Sequence, residues 1–174
     1  MNSIQKLKQL QTTDMSGNEI MKYMKGSGMA PNILSIDELH RFESIEQAFG
    51  GQDHIILFTM TDDEETGHWQ CVFTDNENLF FFDSYGMEPY RLIDKVNRVL
   101  PDNNYDQDLI LSDLIYESKY FGRCYYNIFD YQSKNEQINT CWRHTLTCLF
   151  VLKNFQNLNV TFDVDKYNTF MFSA

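Results

Sequence analysis

Residues 67–83 have the sequence GHWQCVFTDNENLFFFD, in which two apolar runs flank a polar one. Residues 69–73 and 79–82 have the aromatic-rich composition of strands, whereas residues 75–78 contain only Asp, Asn and Glu, which is typical of a hairpin turn. The segment therefore predicts an antiparallel hairpin. A largely apolar run at residues 54–59 predicts a further buried strand just upstream.

Helix signals lie on both sides of this hairpin. Ser16 and Ser35 each precede a glutamate at capping-box spacing, and apolar residues at helical spacing follow. Glycines at 26 and 28 would end the first helix, and those at 50 and 51 the second. Downstream we predict helices over about 89–100 and 141–154, a strand over 124–131 and a final strand within 158–172. Residues 108–116 fit either a strand or a helix.

This order of elements predicts an α+β fold, with a mainly antiparallel central sheet flanked by helices. The 174 residues fit one domain, residues 1–174, and a hydrophobic fraction of 43% favours a packed core over a disordered chain. The net charge of −11 argues against unaided binding to a nucleic-acid backbone, and mildly favours basic peptides.

The cysteine count and the apolar runs indicate the compartment. Four cysteines are too few for a secreted disulfide scaffold, and the polar first eleven residues do not resemble a signal peptide. No apolar run approaches the roughly 20 residues of a membrane span. We therefore expect reduced thiols, an intracellular setting and no membrane partner.

The hairpin is predicted to place a histidine and an aspartate on one face of the sheet. A two-residue turn would put His68 opposite Asp83, and a four-residue turn would put Gln70 there instead. Both registers keep His68 and Asp83 on the same face, because the parity of the pairing is unchanged. A carboxylate so placed fixes the tautomer of an imidazole and stabilises its charged form. The ordinary alternative is a polar pair that ends a hairpin beside solvent.

A cysteine at the start of the last helix is a candidate nucleophile. Asn139 and Thr140 are typical N-cap residues, so Cys141 would lie in the first helical turn. The positive end of the helix dipole favours the thiolate there, and the thiolate is the nucleophilic form. The alternative is a small buried side chain, which is what we expect of the other cysteines, Cys71, Cys124 and Cys148.

Two glutamines are candidates for stabilising an oxyanion. Gln132 follows the aromatic run at 125–131, whereas Gln137 is closer to Cys141 but lies in a polar stretch. The side-chain amide of either, with the backbone N–H of Cys141, would form an oxyanion hole. Trp69, beside the histidine, lies either in the core or along a substrate groove.

The order of these motifs resembles that of the adenovirus maturation protease (adenain-like) and its relatives. Those relatives include the proteases of virophages and related large transposons, and the enzymes that remove SUMO-type modifiers. Gly67-His68-Trp69 is similar to the first family motif, and Phe82-Asp83-Ser84-Tyr85-Gly86 to the second, especially in its virophage form. Tyr131-Gln132 and Asn139-Thr140-Cys141 are similar to the last two. The resemblance spans about residues 16–154.

The resemblance implies a papain-like cysteine protease fold and assigns roles within it. Cys141 attacks, His68 is the base, Asp83 orients His68, and Gln132 lies in the oxyanion hole. It implies a viral endopeptidase of the virion and the host-cell cytoplasm that cleaves capsid or other structural precursor proteins. Cleavage would follow short motifs such as Gly-Gly-X or Gly-X-Gly.

The chain departs from the family at two points. Trp142 stands where the family usually has glycine, and a bulky side chain there would either narrow the leaving-group side or alter the helix entry. Trp142, with Trp69, is therefore a candidate substrate-binding residue. The interval from Gln132 to Cys141 is longer than usual, which keeps Gln137 open. The acidic charge argues against the DNA cofactor of the adenovirus enzymes. We expect no metal or other cofactor, and an activating peptide stays open.

Three alternatives remain at the level of sequence. A deconjugase of ubiquitin-like modifiers would use the same machinery. A catalytically inactive scaffold is suggested by Trp142. A zinc-stabilised binding module would need four ligands, drawn from Cys141, His144, Cys148, His54 and His68.

Overall fold

The computed structural model describes residues 15–26, 28–30, 32–60, 67–75, 77–87, 89, 110–132 and 140–157. The helix predicted over 89–100, the strand predicted within 158–172, Gln137 and the N-cap candidate Asn139 lie outside these residues, apart from residue 89.

A five-stranded sheet forms the centre of the described part of the chain. In chain order its strands are β1 (Asn32–Ser35), β2 (His54–Met60), β3 (Gly67–Thr74), β4 (Leu79–Asp83) and β5 (Cys124–Tyr126), and they lie side by side in that order. The pairs β2–β3 and β3–β4 are antiparallel, whereas each edge strand runs parallel to its neighbour. The α+β class is confirmed, but the expected mainly antiparallel sheet is in fact mixed.

The parallel pairing of β1 with β2 depends on the segment that connects the two strands. A 3₁₀-helix (Ile36–Arg41) and α2 (Ile45–Phe49) lie between β1 and β2, so the chain returns to the same end before β2 begins. The sequence did not predict β1, because Asn32-Ile33-Leu34-Ser35 is short and has no alternation of polar and apolar residues.

The other helices are α1 (Gly17–Gly26), α3 (Ile110–Tyr116) and α4 (Cys141–Asn157). The predicted capping box of α1 is confirmed, because the Glu19 N–H donates to Ser16 Oγ at 3.4 Å and the Ser16 N–H donates to Glu19 Oε2 at 2.9 Å. The start of α4 is confirmed, and residues 110–116 form a helix rather than a strand.

Two predicted elements are shorter than expected. The single helix predicted after Ser35 is interrupted, because Phe42 adopts an extended conformation with φ −113° and ψ 148°. This break lets Leu39 and Ile45, both fully buried, enter the same core. The strand predicted over 124–131 ends at Tyr126, because Asn127 bonds to the backbone of Asp83 with its side chain instead of continuing the ladder.

Each face of the sheet carries its own core, as the alternation of side chains along strands requires. Side chains of α1 and α4 cover one face, where the buried residues include Ile20, Met24, Trp69, Cys71, Phe73, Phe82 and Leu149. Those of α2 and α3 cover the other, with Phe49, Ile55, Leu57, Val72, Phe81 and Leu114. Gln70 and His68 lie two and four positions before Val72 on the same strand, so their side chains are on the same face as Val72, beyond the apolar part of that face.

The turn that follows β4 depends on glycine. Its closing bond runs from the Gly86 N–H to the Asp83 carbonyl at 2.9 Å, and Gly86 has a φ of 64°. A Cβ atom on Gly86 would lie 2.8 Å from the carbonyl oxygen of Phe129 and 2.9 Å from backbone atoms of Ile128. Both the backbone conformation and this close approach therefore exclude a side chain.

We expect Gly86→Ala to lower the free energy of unfolding by at least about 2 kcal/mol more than Gly122→Ala does. Gly122 also has a positive φ, 77°, but a Cβ there meets nothing within 4 Å. Its substitution therefore costs only the strain of holding an alanine at a positive φ. Urea unfolding of the two variants measures the difference, and equal destabilisation would contradict the proposed clash with the backbone at 128–129.

Candidate active site

Asp83, the last residue of β4, is completely buried and fully hydrogen bonded. Its Oδ2 accepts from His68 Nε2 at 2.8 Å and from Gln70 Nε2 at 2.9 Å, while its Oδ1 accepts from the Tyr85 N–H at 2.7 Å. Burial opposes ionisation, but the His68 side chain and these donors hold the pKa of Asp83 below its usual value. The group is therefore a carboxylate.

The pairing of β3 with β4 sets this geometry. Gln70 lies directly opposite Asp83, and Thr74 opposite Leu79, which confirms the register predicted for a four-residue turn. His68 is thus diagonal to Asp83 and on the same face, within reach of its side chain. The shared face was predicted correctly under either register.

Neighbouring side chains hold the network in place. Thr59 Oγ1 donates to Gln70 Oε1 at 3.1 Å, which orients the Gln70 amide toward Asp83. Asn127 Oδ1 accepts from the Asp83 N–H at 2.9 Å, and Asn127 Nδ2 donates to the Asp83 carbonyl at 2.6 Å. Neither Asn127 nor a role for Gln70 was predicted from the sequence. The parity argument could have found Gln70, whereas nothing in the sequence connects Asn127 to Asp83.

His68 lies between Asp83 and Cys141 and is 5% exposed. Burial acts to lower its pKa, but the hydrogen bond and charge of Asp83, together with a hydrogen bond to Cys141, raise the pKa of His68 to about 9. At neutral pH the ring is therefore an imidazolium between a carboxylate and a sulfur.

Cys141 is the first residue of α4 and is 4% exposed. Its Sγ lies 4.0 Å from the carbonyl oxygen of Gly67, the residue before His68. One turn further along α4, Thr145 Oγ1 donates to the carbonyl of Trp69 at 2.9 Å. These contacts fix the start of the helix against the start of β3, so the sulfur and the imidazole meet.

Gly67 leaves space for an aromatic side chain of the neighbouring strand. A Cβ atom there would lie 2.0 Å from the ring of Phe58, which fills the space beside the strand. The phenyl ring in turn packs against Trp69 with ring centroids 4.5 Å apart. Trp69 is 6% exposed within the core, which favours the core interpretation over a substrate groove.

Gln132 reaches the site through Tyr85. The Gln132 side chain is buried, and its Nε2 donates to the Tyr85 hydroxyl at 3.0 Å. The Tyr85 ring lies beside the His68 ring, with centroids 4.8 Å apart. Burial, followed by electrostatic interactions with Cys141 and Asp83, raises the pKa of Tyr85, so its hydroxyl stays protonated. Tyr85 was not predicted as a site residue, although it lies only two residues after Asp83.

Trp142 is half-buried beside the site, with the Arg143 guanidinium 4.7 Å from its ring centroid. A role in substrate binding stays a prediction.

Within the described residues, which include all five candidate zinc ligands, no group of three or more His, Cys, Asp or Glu side chains could hold a metal ion. His68 and Cys141 contact each other, but no third candidate zinc ligand joins them among these residues. Cys148 instead hydrogen bonds with Cys71 in the core.

Comparisons with known proteins indicate a viral relationship. The chain is 27% identical over 147 residues to "Uncharacterized protein V9" of the Sputnik virophage, covering 80% of this chain and 77% of that protein. No family model and no solved structure matches the chain. The similarity supports a virophage-type origin. In the part of the chain that the structure describes, no helix is both long and apolar enough to cross a bilayer.

The pKa of His68, about 9 against 6.5 for an ordinary histidine, makes stability depend on pH. Because the folded state binds this proton more tightly than the unfolded chain, the stabilisation is complete below about pH 6.5 and is lost as pH rises through about 9. We expect the free energy of unfolding to fall across this window by up to about 3 kcal/mol. Urea unfolding at several pH values measures it, and His68→Gln is expected to flatten the profile. The same slope in both proteins would exclude His68 as its source.

Proposed function

We propose that this protein is a cysteine endopeptidase in which Cys141 is the nucleophile. The observation that carries the proposal is the position of His68, which bonds through Nε2 to the buried Asp83 carboxylate and hydrogen bonds with Cys141. With Nε2 so engaged, Nδ1 is the ring nitrogen left to exchange a proton with the sulfur. A carboxylate, an imidazole and a thiol in this order form the acid–base relay of thiol hydrolases.

The proposed reaction has two steps. The Cys141 sulfur attacks the peptide carbonyl carbon, and the carbonyl oxygen becomes an oxyanion. As the C–N bond breaks, the His68 imidazolium donates its proton to the leaving amine, and a thioester remains on the enzyme. His68 then takes a proton from water, whose oxygen attacks the thioester and releases the acid and the thiolate. Asp83 stabilises the charged form of His68, before the proton leaves and after it returns.

The Gln132 amide and the backbone N–H of Cys141 are the proposed donors to the oxyanion. Gln132 is buried and lies one hydrogen bond from Tyr85, whose ring is beside His68. The Cys141 N–H is at the first position of α4, where backbone N–H groups lack intrahelical acceptors. Removing one oxyanion donor typically lowers kcat about 10²- to 10³-fold.

The proposal extends to the adenain-like branch and its papain-like arrangement. Support comes from α4, which carries the thiol and packs on the strand that carries His68, while the next strand carries Asp83. The similarity to a virophage protein supports a viral setting, and the resemblance of the motifs to those of the maturation proteases favours a role in virion maturation. The proposed substrates are capsid or other structural precursors, cleaved in the virion or in the host-cell cytoplasm.

Cleavage of virophage capsid precursors by the purified protein tests the proposal. We expect Cys141→Ala to lower the rate at least about 10⁴-fold, because the nucleophile is lost. Cys124→Ser is the matched control, since Cys124 lies on β5 outside the site, and it is expected to cleave normally. Undiminished cleavage by Cys141→Ala would refute the assignment. The wild-type rate is also expected to fall as pH rises through about 9, where His68 loses the proton it donates.

The deconjugase alternative uses the same atoms, so only substrates separate it from a maturation protease. We expect the wild-type protein to cleave capsid precursors and to leave fluorogenic conjugates of ubiquitin-like modifiers intact. The two substrate classes are compared at equal enzyme concentration, with Cys141→Ala as the blank. Faster turnover of the conjugates would reverse the assignment.

A further inference from the structure

We propose that Ser84 and Tyr85 are positioning residues that hold the Gln132 amide in place for oxyanion stabilisation. This inference rests on the proposed function and adds two residues to it. Both side chains act through Gln132, so neither needs to touch the substrate. They follow Asp83 directly in the chain, which links the orientation of the base to that of the oxyanion donor.

The first support is the pair of hydroxyls that bracket the amide. Ser84 Oγ donates to Gln132 Oε1 at 2.8 Å, and Gln132 Nε2 donates to the Tyr85 hydroxyl at 3.0 Å. One contact holds the oxygen end and the other holds the nitrogen end, so the plane of the amide is fixed. Ser84 is completely buried and Gln132 is 3% exposed, and a satisfied polar contact in such surroundings is strong.

The second support is the backbone of Ser84. Its carbonyl accepts from the N–H groups of both Tyr131 and Gln132, at 2.8 and 3.0 Å. The backbone bonds therefore place the segment that carries Gln132, while the Ser84 hydroxyl orients the side chain. This division is useful, because Ser84→Ala removes the orienting bond and keeps the placing bonds.

The third support is the position of Tyr85 between the amide and the catalytic pair. Its ring lies 4.8 Å from that of His68, and its backbone N–H donates to Asp83 Oδ1 at 2.7 Å. An amide nitrogen has two hydrogens, so one can stay bonded to Tyr85 while the other donates to the oxyanion. The Tyr85 hydroxyl thus keeps the donor beside the reacting centre.

The test compares Ser84→Ala and Tyr85→Phe with the wild-type protein on a peptide from a capsid precursor. Tyr85→Phe keeps the ring beside His68 and removes only the hydroxyl. We expect each variant to lower kcat about 10-fold or more and to leave KM unchanged, because the lost orientation matters only in the transition state. Tyr116→Phe, an exposed tyrosine on α3, is the matched control and is expected to leave kcat unchanged.

Two further measurements separate positioning from a general structural effect. Alkylation of Cys141 by iodoacetamide needs no oxyanion donor, so its rate is expected to stay at the wild-type value in both variants. In a Gln132→Ala background, Ser84→Ala and Tyr85→Phe are expected to cause no further loss of kcat. Three results would overturn the inference and leave the proposed function standing. These are additive losses of kcat in the double variants, a wild-type kcat in both single variants, and an alkylation rate that falls as much as kcat does.

A wild-type protein that cleaves no peptide and shows no selective alkylation of Cys141 would refute the proposed function, and the inference with it.

Discussion

A carboxylate without exposed surface must receive a hydrogen bond at every oxygen, and the site is arranged around this requirement for Asp83. Leaving such a charge unpaired typically costs about 3–5 kcal/mol, a large part of the stability of a small domain. Asp83 meets the requirement with donors from three residues, namely His68 and Gln70 on β3 and the Tyr85 backbone after β4. The pairing of β3 with β4 therefore also orients the imidazole.

The buried Asp83 carboxylate also determines the charge that lies beside Cys141. Asp83 keeps His68 protonated, and a protonated ring next to the first turn of α4 places positive charge beside the Cys141 sulfur. The hydroxyl of Thr145 fixes the helix to β3 by donating to the Trp69 carbonyl. The position of the Cys141 sulfur relative to β3 therefore depends on a buried contact rather than on exposed side chains.

Features that local patterns determine could be predicted from the sequence. The parity of a hairpin fixed the shared face of His68 and Asp83, and N-cap chemistry located the start of the helix at Cys141. Strand β1, whose pairing partner is β2, was not predicted, nor was the early end of β5, which depends on Asn127 and Asp83, 44 residues apart. Such contacts are decided by tertiary packing, and no periodicity in a single sequence encodes them. The place of Tyr85 beside His68 was missed for the same reason.

The length of the stretch Asp83-Ser84-Tyr85-Gly86 is constrained by the contacts of its residues. Each of its residues makes a different contact, since the carboxylate binds His68, the serine carbonyl receives residues 131 and 132, the tyrosine contacts Gln132, and the glycine admits the 128–129 backbone. Inserting or deleting one residue would move all four contacts out of register at once. The segment therefore tolerates a substitution only where the contact of that residue is kept, and it tolerates no change of length.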